Sequence, residues 1–178
     1  MAERMEARLS GDASRHGLVF AGIVLAEAAA LIEGRHALQM QAFGPDAQGR
    51  ASRSDVLLSD EEIDSPEVTQ LDALVALTPE ALGRYAAQLR EGGLLLCDAS
   101  CAPPAVEGRR LVSLPLLREG DADARLVGLA ALGALLELRP MVSPTALQRA
   151  LADRLTPEEL PRFERSVERG RELARSVR

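Results

Sequence analysis

An α/β fold with a mostly parallel, doubly wound sheet is predicted by three features of this sequence. Short runs of apolar residues alternate with longer helical stretches along the chain, the pattern of strand–crossover–strand units. Asp72–Leu77, after its leading Asp, and Leu94–Leu96 are continuously apolar, as suits strands covered on both faces. Three Ser/Thr-Pro pairs, Thr78-Pro79, Ser143-Pro144 and Thr156-Pro157, combine a side-chain cap with a residue suited to the first helical turn. The 178 residues fit a single domain over 1–178, because domains run to roughly 100–200 residues. With 47% apolar residues, no Trp and only three Phe and one Tyr, the core must be aliphatic.

In chain order, Glu6–Ser10 reads as a short strand and Gly17–Leu31 as a helix apolar nearly all round, hence buried. Gly34 ends it. His36–Phe43 alternates loosely as a strand, and Gly44–Ser54 carries turn chemistry throughout. Val56–Leu58 and Asp72–Leu77 are the next strands. A helix from Pro79 runs to about Arg90 and stops at Gly92-Gly93. Leu94–Leu96 and Leu111–Leu114 complete the sheet. The remainder is helical: a buried helix over Ala122–Leu138, then two helices opened by Ser143-Pro144 and Thr156-Pro157. The last carries Leu160, Phe163, Val167 and Val177 near a 3.6-residue period, the mark of one packed face.

Composition excludes several functions. The chain has 21 basic residues, all Arg, against 27 acidic ones, a net charge of −6. The densest basic stretch, Arg162–Arg178, is interleaved with Glu, as on a solvated helix face. A phosphate backbone needs a single-sign stripe, so no nucleic-acid partner is expected. Gly17–Ile32 is interrupted by Glu27 and is shorter than the roughly 20 residues of a membrane span. Residues 1–8 lack the pattern of a signal peptide, so a cytoplasmic, non-membrane protein is expected. Cys97 and Cys101 are too few for a disulfide framework or a four-cysteine cluster, and no metal site is expected.

Two segments could carry chemistry. The first, Ser10–Gly17, joins a strand to a helix, where a Gly-rich turn can offer N–H groups and a helix N-terminus to a phosphate. Only Gly11 and Gly17 are glycines, so side chains stand where a ligand would need bare backbone. An ordinary turn capped by Ser14 is the plainer reading of the segment. Asp12, Ser14 and His16 together name the residue types of nucleophilic hydrolysis, but three residues of one turn do not supply that geometry. No catalytic residue is therefore assigned. The second segment, Phe43–Pro66, is rich in small hydroxyls. Ser52, Arg53 and Ser54 offer donors to an anion, with Arg53 as a fork, whereas a solvated loop is the plainer reading.

Phe43–Pro66 resembles the gamma subunit of 2-oxoacid:ferredoxin oxidoreductases, most closely the 2-oxoglutarate type. That family has an aromatic-Gly-Pro-Glu-x-Arg-Gly-Gly-x-Ser-x-Ser loop, a strand, and Ser-Asp-x-x-Ile-x-x-Pro. The corresponding residues are Phe43–Ser54 and Ser59–Pro66. Leu71–Leu77, Gly92–Asp98 and Leu132–Ala134 resemble later elements, so the likeness spans nearly the whole chain. The family's Gly-x-Gly-Gly-Gln-Gly turn is Asp12–Gly17 here, with only the last Gly kept. Its Arg-Gly-Gly is Gln48-Gly49-Arg50, and Gly128 replaces a late-helix Asn.

The resemblance implies one subunit, inactive alone, of an enzyme that oxidatively decarboxylates 2-oxoglutarate to succinyl-CoA or runs the reverse carboxylation. It implies thiamine diphosphate, magnesium and four-iron clusters on partner subunits, and coenzyme A as substrate. The partners implied are catalytic alpha and beta subunits, a small ferredoxin-like subunit, and ferredoxin as electron partner. Ser14, His16, Gly17, Gly44, Gly49, Ser52, Arg53 and Ser54 are the residues expected to face a ligand. Two alternatives stand beside this: a degenerate scaffold subunit without ligand contact, and a free-standing module for coenzyme A or a nucleotide.

Overall fold

The computed structural model describes residues 4–44, 51–103, 107–117 and 123–177. Six strands form one sheet: β1 (Arg4–Gly11), β2 (His36–Ala42), β3 (Ser52–Ser59), β4 (Leu71–Ala76), β5 (Leu89–Asp98) and β6 (Arg110–Leu114). Their order is β2-β3-β1-β4-β5-β6. β1, β4, β5 and β6 pair in parallel. β3 is antiparallel to both its neighbours, β1 and β2. Five strands thus point one way and β3 alone is reversed, so the sheet is mixed but mostly parallel.

Alternation along the strands explains the layers. Met5, Ala7 and Leu9 of β1, Val56 and Leu58 of β3, and Ala73 and Val75 of β4 share one apolar core with the helices α1 (Leu18–Glu27), α3 (Ala124–Leu138), α4 (Pro144–Arg154) and α5 (Leu160–Arg175). Leu74, Ala76, Leu95 and Cys97 form a second core with α2 (Pro79–Tyr85) on the other face. Helices on both faces make the sheet doubly wound, with most of the helical mass on one side. In α3, 12 of 15 residues are buried, which matches its lack of a polar stripe. α3 and α5 cross without intervening side chains: a Cβ on Gly170 would lie 1.8 Å from the Ala130 carbonyl oxygen.

The caps form as the Ser/Thr-Pro pairs require. Thr78 accepts from the Ala81 N–H and Ser143 from the Ala146 N–H, each at 3.1 Å. Thr156 and Glu159 exchange hydrogen bonds as a capping box, and α5 starts one turn later than the Pro position suggests. Other boundaries differ as well. The first helix passes into a π-turn at Ala28–Ile32, and Leu31 is 72% exposed. β3 begins at Ser52, because its polar residues face neighbours inside the fold. β5 takes over at Leu89, so the expected helix to Arg90 ends early in a short 3-10 turn. Val177 lies beyond α5 and is half exposed; Gly170 and Ala174 complete the packed face instead.

Candidate functional site

β1 leads through α1 to β2 on one side of the sheet, and β4 leads through α2 to β5 on the other. The adjacent pair β1–β4 is therefore the point where the chain winds in opposite directions. Ligands of open α/β sheets bind outside the carboxyl ends of strands at such a point. The turn Asp12–Gly17 follows β1 here. Gly11 pairs with Ser52 and Ala42 pairs with Arg53, so the start of β3 and the end of β2 lie at the same end of the sheet. The fold thus brings together the two segments that the sequence singled out. Ser10 ties β1 to β4 by donating its hydroxyl to the Val75 carbonyl at 2.7 Å, and the Leu77 N–H donates to the Ser10 carbonyl.

The turn is closed upon itself. Asp12 accepts from both the Ser14 N–H and hydroxyl, and its carbonyl accepts from the N–H groups of Arg15 and His16. The Asp12 N–H donates to His16 Nδ1 at 3.0 Å. Four backbone donors that a phosphate cradle would present are thereby spent internally. Ser14 does not cap α1; it completes the Asp12 turn, and Gly17 occupies the cap position with φ +55°. Ser14 and Arg15 point outward and are exposed, while His16 is buried. Burial pushes the His16 pKa down, against an opposing pull from Asp12, so the imidazole stays neutral and Nδ1 remains an acceptor.

Gly128 answers to this turn. A Cβ there would meet the Gly17 and His16 carbonyl oxygens at 2.6 and 2.7 Å, and one on Gly17 would meet the Ala124 carbonyl oxygen at 2.5 Å. The backbones of the turn and of α3 touch directly. The glycine the turn keeps and the glycine of α3 are thus two sides of one contact.

The ends of the second segment are clipped together. The Gly44 N–H donates to the Ser52 hydroxyl at 3.0 Å, and the Tyr85 hydroxyl donates to the Ala51 carbonyl at 2.6 Å. Ser52 is buried, and fully buried Ser54 accepts from the Gln39 side chain at 2.9 Å. Both serines were expected to offer donors to an anion; here their hydroxyl oxygens accept hydrogen bonds from within the fold. Arg53 points to the opposite sheet face, beside Asp55 at 3.2 Å. Gly49 and Arg50 lie outside the described residues.

Sequence reasoning missed a charged cluster on that opposite face. Arg8 grips Asp55 through two hydrogen bonds of 2.5 and 2.9 Å, and its third nitrogen reaches Gln88. The Arg8 guanidinium lies 4.6 Å from the Tyr85 ring centroid. Arg8 and Asp55 are directly paired across β1 and β3. The available signal was a charge between apolar Ala7 and Leu9 in β1, another at the head of the apolar run Val56–Leu58 in β3, and the chain's single Tyr.

Among the described residues no three His, Cys, Asp or Glu side chains gather as ligands. Cys97 and Cys101 are buried, and burial raises both thiol pKa values, that of Cys101 to about 11. Asp98, between them in sequence, is occupied by the N–H groups of Ser100, Leu116 and Leu117. Cys101 sits in a 3-10 turn with its thiol against the Ala76 carbonyl.

An open, mostly parallel α/β sheet with two turns meeting at its switch point defines the doubly wound class of fold. Residues 6–173 match the family described as pyruvate ferredoxin/flavodoxin oxidoreductase, and the chain belongs to that family. It is 36% identical over 157 residues to the 2-oxoglutarate synthase subunit KorC of Methanocaldococcus jannaschii, covering 84% of this chain and 83% of that one. The KorC of Methanothermobacter thermautotrophicus is 34% identical over 180 residues, covering 96% and 95%. The gamma subunit of a keto/oxoacid ferredoxin oxidoreductase from Geobacter sulfurreducens superposes with a TM-score of 0.84, 32% identity and 98% coverage of both chains. The 2-oxoglutarate:ferredoxin oxidoreductase from Magnetococcus marinus, solved with 2-oxoglutarate, coenzyme A and succinyl-CoA bound, shares the fold over 98% of this chain and 31% of its own, with a TM-score of 0.82 and 22% identity.

Proposed function

We propose that this chain is the gamma-type subunit of a 2-oxoglutarate:ferredoxin oxidoreductase. The complex converts 2-oxoglutarate to succinyl-CoA by oxidative decarboxylation, or runs the reverse carboxylation. The observation that carries this reading is near end-to-end correspondence with gamma subunits at about one-third identity, in both sequence and fold. The oxidoreductase is a complex, and this chain is one subunit of it. Thiamine diphosphate, its magnesium and the iron–sulfur clusters belong to alpha and beta partners in this reading, because two buried thiols cannot ligate a four-iron cluster. Ferredoxin is the electron partner. Among the described residues no helix is long and apolar enough to cross a membrane; two free thiols support a reducing, cytoplasmic setting.

Coenzyme A is the substrate that this chain faces. The turn Asp12–Gly17 and the adjoining start of β3 form its side of the enclosure, in which Gly17 and Gly44 lie at the wall, Ser52 and Ser54 brace it from within the fold, and His16 fixes the turn. Because the turn's own N–H groups and the Ser14 hydroxyl are spent on Asp12 and His16, contact with the phosphates falls to the exposed Arg15 guanidinium. A scaffold role without ligand contact is the second reading, favoured by that same internal bonding of the turn.

Two experiments test this. Affinity-tagged chain should co-purify with partners carrying thiamine diphosphate and iron; partners lacking both would exclude the reading. In the assembled enzyme, Arg15→Ala should raise the KM for coenzyme A about tenfold with kcat unchanged, the signature of lost uniform binding. An unchanged KM would favour the scaffold role.

A further inference from the structure

β2 is an edge of the sheet, paired with β3 alone among the described strands. Exposed edges present unpaired backbone groups and are ordinarily blunted by a charge, a Pro, a bulge or a very short strand. β2 has none of these. His36–Ala42 reads His-Ala-Leu-Gln-Met-Gln-Ala, without Asp, Glu, Arg or Pro. It pairs with β3 without a register shift, from His36 opposite Ser59 to Ala42 opposite Arg53. The other edge, β6, has five residues against seven and opens on Arg110. Among the described residues one side-chain bond reaches the β2 backbone, from Gln39 to the Met40 carbonyl. At 3.3 Å it is long, and it leaves that oxygen a second lone pair. Leu31 and Phe43 are the most exposed large apolar side chains among the described residues, at 72% and 70%. Both flank this strand: the turn Ala28–Ile32 packs on β2, and Phe43 follows its last residue.

We infer that the β2 edge pairs antiparallel with β2 of a second copy of this chain, about a two-fold axis at Gln39. The strand is self-complementary in that register. Leu38 falls opposite Met40, Ala37 opposite Gln41 and His36 opposite Ala42, so apolar side chains meet and like charges do not. The backbone matches as well. Along an edge strand, alternate residues turn their N–H and C=O groups outward. A register centred on one residue sets odd positions opposite odd and even opposite even, so outward groups meet outward groups. Two seven-residue strands then exchange about six or eight hydrogen bonds. One step beyond the strand, Phe43 falls opposite Arg35, whose guanidinium is already held by Asp60 and the Met141 carbonyl. The exposed ring thereby gains a fixed cation at its face. The product is a closed, isologous pair with one sheet running through both copies. A strand of another chain would satisfy the backbone equally; the two-fold match of the side chains is what selects a second copy. The inference stands apart from the coenzyme A reading.

Position-specific cross-linking tests the pairing, with circular dichroism confirming that each variant folds. Gln39→Cys should form a disulfide-linked dimer on mild oxidation with diamide, because residues opposite each other in an antiparallel ladder have Cα atoms about 4.5–5.5 Å apart, within disulfide reach. Gln41→Cys should cross-link poorly, since its own copy lies elsewhere and Ala37 faces it. The wild type, whose Cys97 and Cys101 are buried, sets the background. Sedimentation of the full chain at high micromolar concentration should give twice the 19.0 kDa monomer mass. Met40→Lys replaces an apolar contact twice in each interface and should raise the dimer dissociation constant about tenfold. A monomeric wild type together with no Gln39→Cys cross-link, in the isolated chain and in the complex with alpha and beta subunits alike, would overturn the inference. So would equal cross-linking at positions 39 and 41, the result of random collision. Loss of the Gln39→Cys cross-link on assembly with alpha and beta subunits would overturn it too, since the edge would then belong to a strand of another subunit.

Discussion

Arg8→Met isolates the buried ion pair between β1 and β3. Arg8 and Asp55 are 2% and 3% exposed, so removing the guanidinium strands a carboxylate in the interior. Breaking a buried pair from one side costs about 3–5 kcal/mol. Arg53 still approaches Asp55 at 3.2 Å, which places the electrostatic loss near the lower bound. The lost stacking on Tyr85 at 4.6 Å adds about 1 kcal/mol. Urea denaturation of the isolated chain should therefore show Arg8→Met destabilised by about 4 kcal/mol. Replacing both partners, as Arg8→Met with Asp55→Leu, should recover most of this loss, because the desolvation cost of both charges disappears together. A single-variant loss below about 1 kcal/mol would refute the reasoning. A double variant less stable than the single one would refute it equally.

Further outcomes follow from the same structure. The native pKa of His16 is lowered by burial, so the unfolded chain binds a proton that the native chain does not. Stability should fall as pH drops below about 6.5, and continue to fall until the native pKa is passed. His16→Gln should flatten the change in urea midpoint between neutral and mildly acidic pH. Gly170→Ala should destabilise the chain by about 2 kcal/mol or more through overpacking of α3 on α5, read from the thermal midpoint. Cys97 and Cys101 should resist a thiol reagent in the native chain at neutral pH and react together after denaturation, because both are buried and their thiolates disfavoured.

Much of the fold was legible because burial and periodicity act locally. Asp72–Leu77 and Ala122–Leu138 read as buried elements, and α3 and β4 fall within about two residues of those bounds. The Ser/Thr-Pro caps were legible for the same reason: a cap needs only its own first turn. What was illegible depends on partners distant in sequence. Ser52 to Asp55 looked like loop, and become strand because Gln39, Gly44 and Arg8 supply their polar contacts from other elements. The segment Asp12–Gly17 was legible as an altered turn, but its closure by His16, and the direct backbone contact with Gly128, required three-dimensional proximity. The reversed strand β3 could not be read from its composition, since a short apolar run looks the same in either direction.

The central claim is that this chain completes a 2-oxoglutarate oxidoreductase on the side that meets coenzyme A. The most direct measurement is the rate of 2-oxoglutarate-dependent ferredoxin reduction across a coenzyme A titration, with the alpha and beta subunits alone and with this chain added. The account predicts that the chain adds activity saturable in coenzyme A and that Arg15→Ala shifts the half-saturation point upward. Equal rates at every coenzyme A concentration, with and without the chain, would contradict it.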